Sequence, residues 1–465
     1  MSREVVVIGG GLAGLAAAIR LLDRGCRPIV LESRRRLGGR ASSFDDAQSG
    51  RTLDNCQHVL MGCCANLLDL YERIGVGDAI EWHEDVRWLR PDGGRDVMRP
   101  SRLPAPLHLA GSLRRMRLLD RAMKRQVRRA MWRMLRMSAA ARLAAASRTF
   151  DALLDDWKQG PEVRRLFWEP IVVSACNLSL DRVSARHAVQ VFREGFMAGR
   201  WQATMGVPTV PLVELYEPAA RCIAEGGGEV RCGWSASGIA LDGRRAIGVE
   251  TNRQFVRGEA VCAAIPWERL EAIADDRLMA MDARLQGLEQ LGHSPILGVH
   301  VVVDGPVMDE PHLVLPGRGV HWVFNKGVDA SGAQHLHAVV SAADAWMDLG
   351  PDAIQQRVLD DLAAAFPDLP GRELLLCRAV KERRATFAAT ADAEQARPAA
   401  APSPVGAMGG DIEGLYLAGD WCDSGWPATM EGAVRSGYLA AQAIAGGPGV
   451  AASPQPGWLF RLLSR

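Results

Sequence analysis

The sequence predicts an α/β fold: one Rossmann-like sheet built from separated stretches of the chain, and a mixed α+β domain with a helical subdomain inserted between them. Three observations predict it. A strand, a glycine turn, a helix and a second strand follow one another at the N-terminus. Strand text with the spacing of a β-meander returns in residues 205–265. A short strand ending in Gly-Asp precedes a helix near the C-terminus.

The elements follow in order. Val5 to Ile8 is an apolar run of the length of a buried strand. Glycines come next, then an Ala/Leu-rich helix from Leu12 to about Arg24, closed by Gly25, then the strand Pro28 to Leu31. The whole is the size of a βαβ unit, about 30 residues. Residues 105–150 read as helices crowded with arginine. Glu229 to Cys232 reads as a strand, Gly238 to Thr251 and Gln254 to Glu259 as the meander, and Val261 to Ile265 as an apolar strand stopped by Pro266. Residues 267–395 mix helices with strands such as Ile296 to Val303 and His335 to Ser341. Ala399 to Gly410, rich in Ala, Pro and Gly, reads as a flexible connection. Leu415 to Ala418 is a last strand, followed by a helix from Glu431 to about Ala445.

The first turn carries the strongest signal. Gly9, Gly11 and Gly14 form G-x-G-x-x-G, with Gly10, Leu12 and Ala13 between them. The pattern gains meaning because it leaves a strand and opens a helix. One glycine makes the tight turn, one lets a pyrophosphate approach the backbone, and one lets helix and strand pack closely. The helix start adds unpaired N–H groups and a partial positive charge. Glu32 ends the second strand, where a carboxylate takes ribose hydroxyls.

Composition narrows the class further. The chain is 48% apolar and 23% charged with a net charge of +1, so global charge gives no reason to expect a nucleic-acid partner. Its ten cysteines contain no C-x-x-C pair and fit no zinc spacing, which suits scattered reduced thiols and no metal site. The start runs directly into a strand without the pattern of a signal peptide. No uncharged apolar run reaches the ~18 residues of a spanning helix. The expected location is cytoplasmic.

The segment Glu32-Ser33-Arg34-Arg35-Arg36-Leu37-Gly38-Gly39-Arg40, continued by Ala41, resembles the extended signature of the flavin-containing amine oxidase and carotenoid desaturase superfamily. The resemblance implies non-covalently bound FAD, with Gly38, Gly39 and Arg40 passing the phosphates. Leu415 to Asp420 and Met430-Glu431-Gly432-Ala433 resemble its C-terminal flavin element. There Gly419 and Asp420 would meet the ribityl chain or phosphate, and the N–H groups near Met430 the pyrimidine edge. Glu229 to Cys232 resembles the strand whose backbone, at Val230, meets the adenine. The implied organisation is a flavin domain in three parts (1–85, 205–266 and 405–447), a helical substrate- and membrane-facing region (86–204), a substrate domain of sheet and helices (267–404) and a tail (448–465).

Local text narrows the resemblance. Asp54-Asn55-x-Gln57-His58-Val59-Leu60-x-Gly62, Arg384-Ala385-Thr386-Phe387 before Arg397-Pro398, and Gly419-Asp420-Trp421-x-Asp423-x-Gly425-Trp426-Pro427 resemble the bacterial squalene-associated desaturases, the hydroxysqualene dehydroxylases. That group implies removal of an allylic hydroxyl from a long-chain isoprenoid and its replacement by a hydride from reduced FAD, giving squalene for hopanoid or related triterpene synthesis. The leaving oxygen needs a proton. His58 is the candidate acid, Asp54 the residue that holds its tautomer or an alternative acid, and Gln57 an orienter of the hydroxyl. An oxidative phytoene-type desaturase and a non-enzymatic lipid or prenyl carrier are the alternatives. No second G-x-G-x-x-G marks a nicotinamide site, so the electron donor is external and unidentified. Residues 113–148 hold eleven Arg and one Lys against the single carboxylate Asp120, with Leu, Met and Trp132 interleaved. Trp458-Leu459-Phe460-Arg461-Leu462-Leu463 is similar in character. Both predict peripheral contact with an anionic membrane, on the inner surface.

Overall fold

Strand Glu4–Ile8 lies at the centre of a five-stranded, all-parallel sheet. In this computed structural model, which describes residues 2–403, 411–447, 449 and 453–464, the sheet order is Glu229–Cys232, Arg27–Glu32, Glu4–Ile8, Ala260–Ala263 and Leu415–Leu417. Parallel sheets are covered on both faces, and side chains alternate between them. Val6, Ile8, Ile29, Leu31, Val261 and Ala263 pack toward the meander, whose strands are Ala236–Asp242, Arg245–Thr251 and Val256–Arg257. Val5, Val7, Val30, Ala260 and Cys262 pack toward helices Leu12–Leu22 and Met430–Ala445. Those two helices cross at backbone contact: a Cβ at Gly437 would stand 2.2 Å from the Ala13 carbonyl oxygen.

A second, seven-stranded sheet has the order Leu374–Phe387, His293–Val303, Gln334–Ser341, Trp322–Val328, His312–Val314, Val86–Leu89 and Arg95–Met98. Helix Pro351–Ala365 covers one face, packing Ile354, Val358 and Leu362 on Leu297, Val299 and Val301. The other face turns Ile296, Trp322, Phe324 and Val339 toward the cleft described below.

The stretch expected as a helical region over 86–204 therefore opens as two strands of this sheet. Trp88 pairs in register with Val314 and is buried, so tertiary pairing decides what the short alternating text left open. Met205–Pro208 pairs with Leu60–Met61 and Ile80–His83 in a small separate sheet, not with the parallel one. The helical part proper has an aromatic centre of Phe150, Phe167, Trp168 and Phe192, with Trp168 edge-on to the other three. In the Ala399–Gly410 connection, the Ala400 carbonyl accepts from Leu417 N–H at 3.0 Å, and residues 404–410 lie outside the described residues. No helix of the described residues is long and apolar enough to cross a membrane.

The large sheet carries His300, His312, His335 and His337, with His321 just before strand Trp322–Val328, all drawn below the usual imidazole value chiefly by burial. His312 and His321 fall to about 4 and His335 to about 3. An unfolded chain would protonate each near the ordinary value of about 6.5. Below that pH the unfolded state binds more protons than the folded one, so stability falls as pH falls. Thermal melts are expected to show Tm dropping steeply between about pH 6.5 and 4, and replacing His335 by Gln is expected to flatten that slope.

Candidate active site

The glycine turn is built by close approach. A Cβ at Gly14 would stand 1.9 Å from the Gly9 carbonyl oxygen, so only glycine lets the helix leave the strand there. Glu32 fixes the turn from the second strand: Gly10 N–H donates to its Oε2 at 2.7 Å and Arg34 N–H to its Oε1 at 2.7 Å. Gly11 bridges to Gly38, and Gly38 N–H donates to the Gly10 carbonyl at 2.9 Å. The two glycine loops thus form one floor. The first helix begins at Gly11 with no side-chain cap and no acid in its first turn. Leu12 and Ala13 at its start face the cleft.

Residues far apart in sequence close the other sides. Arg40 forms an ion pair with buried Asp420 and donates to the Ala385 carbonyl at 3.1 Å. Gly419 N–H donates to Ser436 Oγ at 2.8 Å. Met430 opens its helix behind the cap Thr429, whose Oγ1 accepts from Gly432 N–H at 3.1 Å. Gly9, Gly11, Leu12, Ala13, Glu32, Ser33, Arg34, Gly38, Gly39, Arg40, Ala41, Gln57, His58, Gly419, Asp420 and Met430 all line one cavity of about 790 Å³, in the upper part of the usual range for ligand pockets. Gly10 and Gly14 sit directly behind it as turn and packing residues. Val230 is not in the lining: it pairs with Val30 inside the sheet. The chain just beyond, at Trp234, Ser235 and Ala236, supplies that wall, tied in by Trp234 N–H to the Glu32 carbonyl at 2.9 Å.

The loop after strand Arg51–Asp54 brings Gln57 and His58 to the cavity. Asn55 anchors it, donating from its amide to the Arg40 carbonyl at 2.6 Å. His58 Nδ1 lies 3.0 Å from the Cys56 carbonyl oxygen, so Nδ1 carries the proton and Nε2 is left to accept. Burial, the largest influence, draws the His58 value below the usual one, against the Cys56 hydrogen bond and the charge of Asp54. In this tautomer the ring presents an acceptor. Asp54 does not hold the tautomer. Its Oδ1 accepts from Ser43 Oγ at 2.8 Å and Leu212 N–H at 3.0 Å, and Lys326 stands 3.5 Å from Oδ2. It caps helix Leu212–Glu225 from behind the loop. Gln57 Oε1 accepts from Lys326 at 3.4 Å. Burial pushes the Cys56 thiol up to about 12, so it offers no nucleophile.

Beyond His58 the cavity wall turns apolar, with Trp88, Ile171, Phe196, Ile296, Trp322 and Phe324. Two carboxyls missed by the sequence reading also line it, Glu194 and Glu382. Neither lies in a recognisable motif; only their place in the folded wall reveals them. Arg397 was quoted only as part of a resemblance. It is fully buried and donates to the carbonyls of Cys422 at 2.6 Å, Trp426 at 2.7 Å and Asp420 at 3.2 Å. Glu394 neutralises it at 3.0 Å and is itself bonded to His187 at 2.5 Å.

These residues fit a flavin dinucleotide. The helix start is uncapped and faces the cavity, Glu32 stands beside it, and the three segments converge although the chain separates them widely. A family model for flavin containing amine oxidoreductase matches residues 12–445. The chain is 28% identical over 469 residues to hydroxysqualene dehydroxylase of Rhodopseudomonas palustris, covering 96% of this chain and 99% of that one. It is 27% identical over 465 residues to 15-cis-phytoene desaturase of Narcissus pseudonarcissus, covering 95% and 79%. Among solved structures a variant of putrescine oxidase superposes with a TM-score of 0.70 at 16% identity, covering 95% of this chain and 98% of that one.

Replacing Arg397 by Ala would remove the nearer of the two guanidinium groups beside buried Glu394, leaving Arg186 at 3.5 Å, and would free three loop carbonyls. Breaking a buried pair this way costs about 3–5 kcal/mol. The expected outcome is a large fall in Tm together with loss of bound flavin colour. A variant that keeps both would show that the clamp is dispensable.

Proposed function

The chain belongs to the family of flavin containing amine oxidoreductases and is an FAD-dependent oxidoreductase, and from that premise we propose that it removes the hydroxyl of hydroxysqualene to give squalene, in hopanoid or related triterpene synthesis. The observation that carries this reading is the composition of the cleft. The wall with Trp88, Ile171, Phe196, Ile296, Trp322 and Phe324 meets the polar loop Asn55 to His58 where the cofactor half begins. A desaturase acting on a pure hydrocarbon has no leaving oxygen for such a loop to hold. The full-length match to a dehydroxylase supports the same side, since the chain spans 99% of that relative and 79% of the desaturase. A lipid carrier is set aside by the oxidoreductase family itself.

The cofactor, held by Gly9 to Gly14, Glu32, Gly38 to Arg40, Asp420 and the start of helix Met430–Ala445, supplies a hydride when reduced by an external donor. The protein does the rest. His58 Nε2 accepts the hydrogen of the substrate hydroxyl and Gln57 lies beside it. The apolar wall positions the chain and keeps water from the allylic cation that forms when the oxygen departs.

The same lipophilic substrate favours a protein that works at a bilayer surface from the cytoplasmic side. In helix Arg121–Arg136, Val127, Ala130, Met134 and Leu135 are buried. Arg125, Arg128, Arg129 and Arg133 surround Trp132, which is 52% exposed. Helix Trp458–Leu463 docks beside it: Arg136 donates to the Leu463 carbonyl at 3.1 Å and Phe460 is buried under Arg193. Trp458 and Leu462 stay exposed. Aromatic and aliphatic tips among arginines suit an anionic headgroup layer, each cation contributing about 1 kcal/mol.

Three measurements test these statements. Anaerobic incubation of FAD-loaded, chemically reduced protein with hydroxysqualene is expected to yield squalene. If it yields none while phytoene is desaturated in parallel, the desaturase reading replaces this one. His58→Ala is expected to lower turnover roughly tenfold, as loss of a transition-state hydrogen bond of about 1.4 kcal/mol would, with FAD content unchanged. The protein is expected to sediment with phosphatidylserine vesicles at low salt and to be released at high salt; no sedimentation at low salt removes the membrane statement.

A further inference from the structure

Glu194 has no structural task that its surroundings reveal. It sits on the π-helical segment Val191–Met197, in the cavity wall between Val191 and Phe196. The turn abuts the strand that follows His58: a Cβ at the next residue, Gly195, would lie 3.4 Å from the Met61 thioether. Gln190, another cavity residue one turn before it, favours its ionised form. Three cations act on it only through space, Arg435, Arg193 and Arg142. Each donates elsewhere. Arg193 serves the carbonyls of Met134 and Leu135, Arg435 that of Ser424, and Arg142 that of Met137. Burial, the largest influence, raises the Glu194 value above the ordinary one, against the pull of Gln190 and of those three charges. The other cavity carboxyls have tasks: Glu431 accepts from the Asn66 amide at 2.6 Å and from Leu67 N–H at 2.8 Å, and on Glu382 the charges of Arg34 and Arg40 bear. It belongs to the cofactor half.

We propose that Glu194 is a further catalytic residue of this cleft, the acid that protonates the departing hydroxyl of the allylic alcohol; this rests on the dehydroxylase reading. The two groups then divide the work. His58 Nε2 accepts the hydroxyl hydrogen and orients the oxygen, and Glu194 donates to that oxygen. The carboxyl O–H bond breaks as a new O–H bond forms on the hydroxyl oxygen. The C–O bond breaks with its electron pair staying on oxygen, and water leaves. The allylic carbon, short of two electrons, is filled by the hydride from reduced flavin. The sum is alcohol plus proton plus hydride giving alkene plus water. Glu194 regains a proton from solvent when product leaves, a return that its apolar surroundings favour.

Glu194→Gln keeps the shape and the contact with Gln190 but cannot transfer a proton. Two readouts test it on the FAD-loaded protein. In infrared spectra at pH 7, wild type is expected to show a protonated-carboxyl stretch that Glu194→Gln lacks; its absence from wild type overturns the proposal whatever the substrate. With hydroxysqualene, Glu194→Gln is expected to turn over at least about 100-fold more slowly than wild type, the range of general acid catalysis, with unchanged flavin content, and to lose the fall in rate that wild type shows as pH rises through the raised carboxyl value. Equal rates and equal pH profiles overturn the role of Glu194 and leave the dehydroxylase reading standing. A wild type that makes no squalene overturns that reading, and the assignment of Glu194 with it.

Discussion

Direct backbone contact between segments distant in sequence is the constraint on which the cleft depends. The turn at Gly9 to Gly14 lies against the loop at Gly38 and Gly39, and a Cβ at Gly39 would stand 3.0 Å from the Gly11 Cα. The first helix lies against the last long one at Gly437, where a side chain would strike the Ala13 carbonyl and the Ala17 N–H. Close-packed interiors do not absorb such intrusions cheaply. Glycines that could be explained by a cofactor's approach are therefore also explained by the protein's approach to itself, and the two demands coincide at the same turn.

A buried polar clamp supplies what glycine contact cannot, the shape of the irregular loop after Asp420. That loop exposes several carbonyls to a dry interior, and each needs a donor. Arg397 meets three of them from one planar head, a task suited to guanidinium and not to ammonium. Its charge is balanced by Glu394, and Glu394 is reached by His187 from the helical region. The helical region that lines the substrate half is thereby joined to the loop that closes the cofactor half.

The cofactor half was legible in the sequence because its chemistry is local. A turn, a helix start and a strand-end carboxylate act within a few residues of each other, so Gly9 to Gly14 and Glu32 could be read as one unit. The meander and the last strand were legible by alternation and by their turn residues. Val86–Leu89 and Arg95–Met98 were not, since strands this short gain their identity only from the partner they meet, here His312–Val314. Asp54 misled for a related reason. Its place before Gln57 and His58 suggested shared chemistry, yet it ends strand Arg51–Asp54 while they lie in the loop beyond, and its carboxylate turned to the start of helix Leu212–Glu225. Glu194 and Arg397 act across the fold, and nothing near them in sequence marks that.

Burial orders the titratable groups of the cleft into a pattern that no single neighbour creates. His58 is drawn toward its neutral form, Cys56 is kept a thiol, and Glu194 and Glu382 are both raised, with burial the largest influence in every case. At Arg40 burial again weighs most, but Asp420 with the other nearby carboxylates outweighs it and holds the guanidinium above its ordinary value. The cleft thus has a charged end, where a diphosphate would need cations and a helix start, and an uncharged end, where a long hydrocarbon would lose little on leaving a bilayer. The apolar wall is in this sense part of the chemistry: it shifts the titration of the groups it encloses, and it does so through solvent exclusion rather than through any one residue.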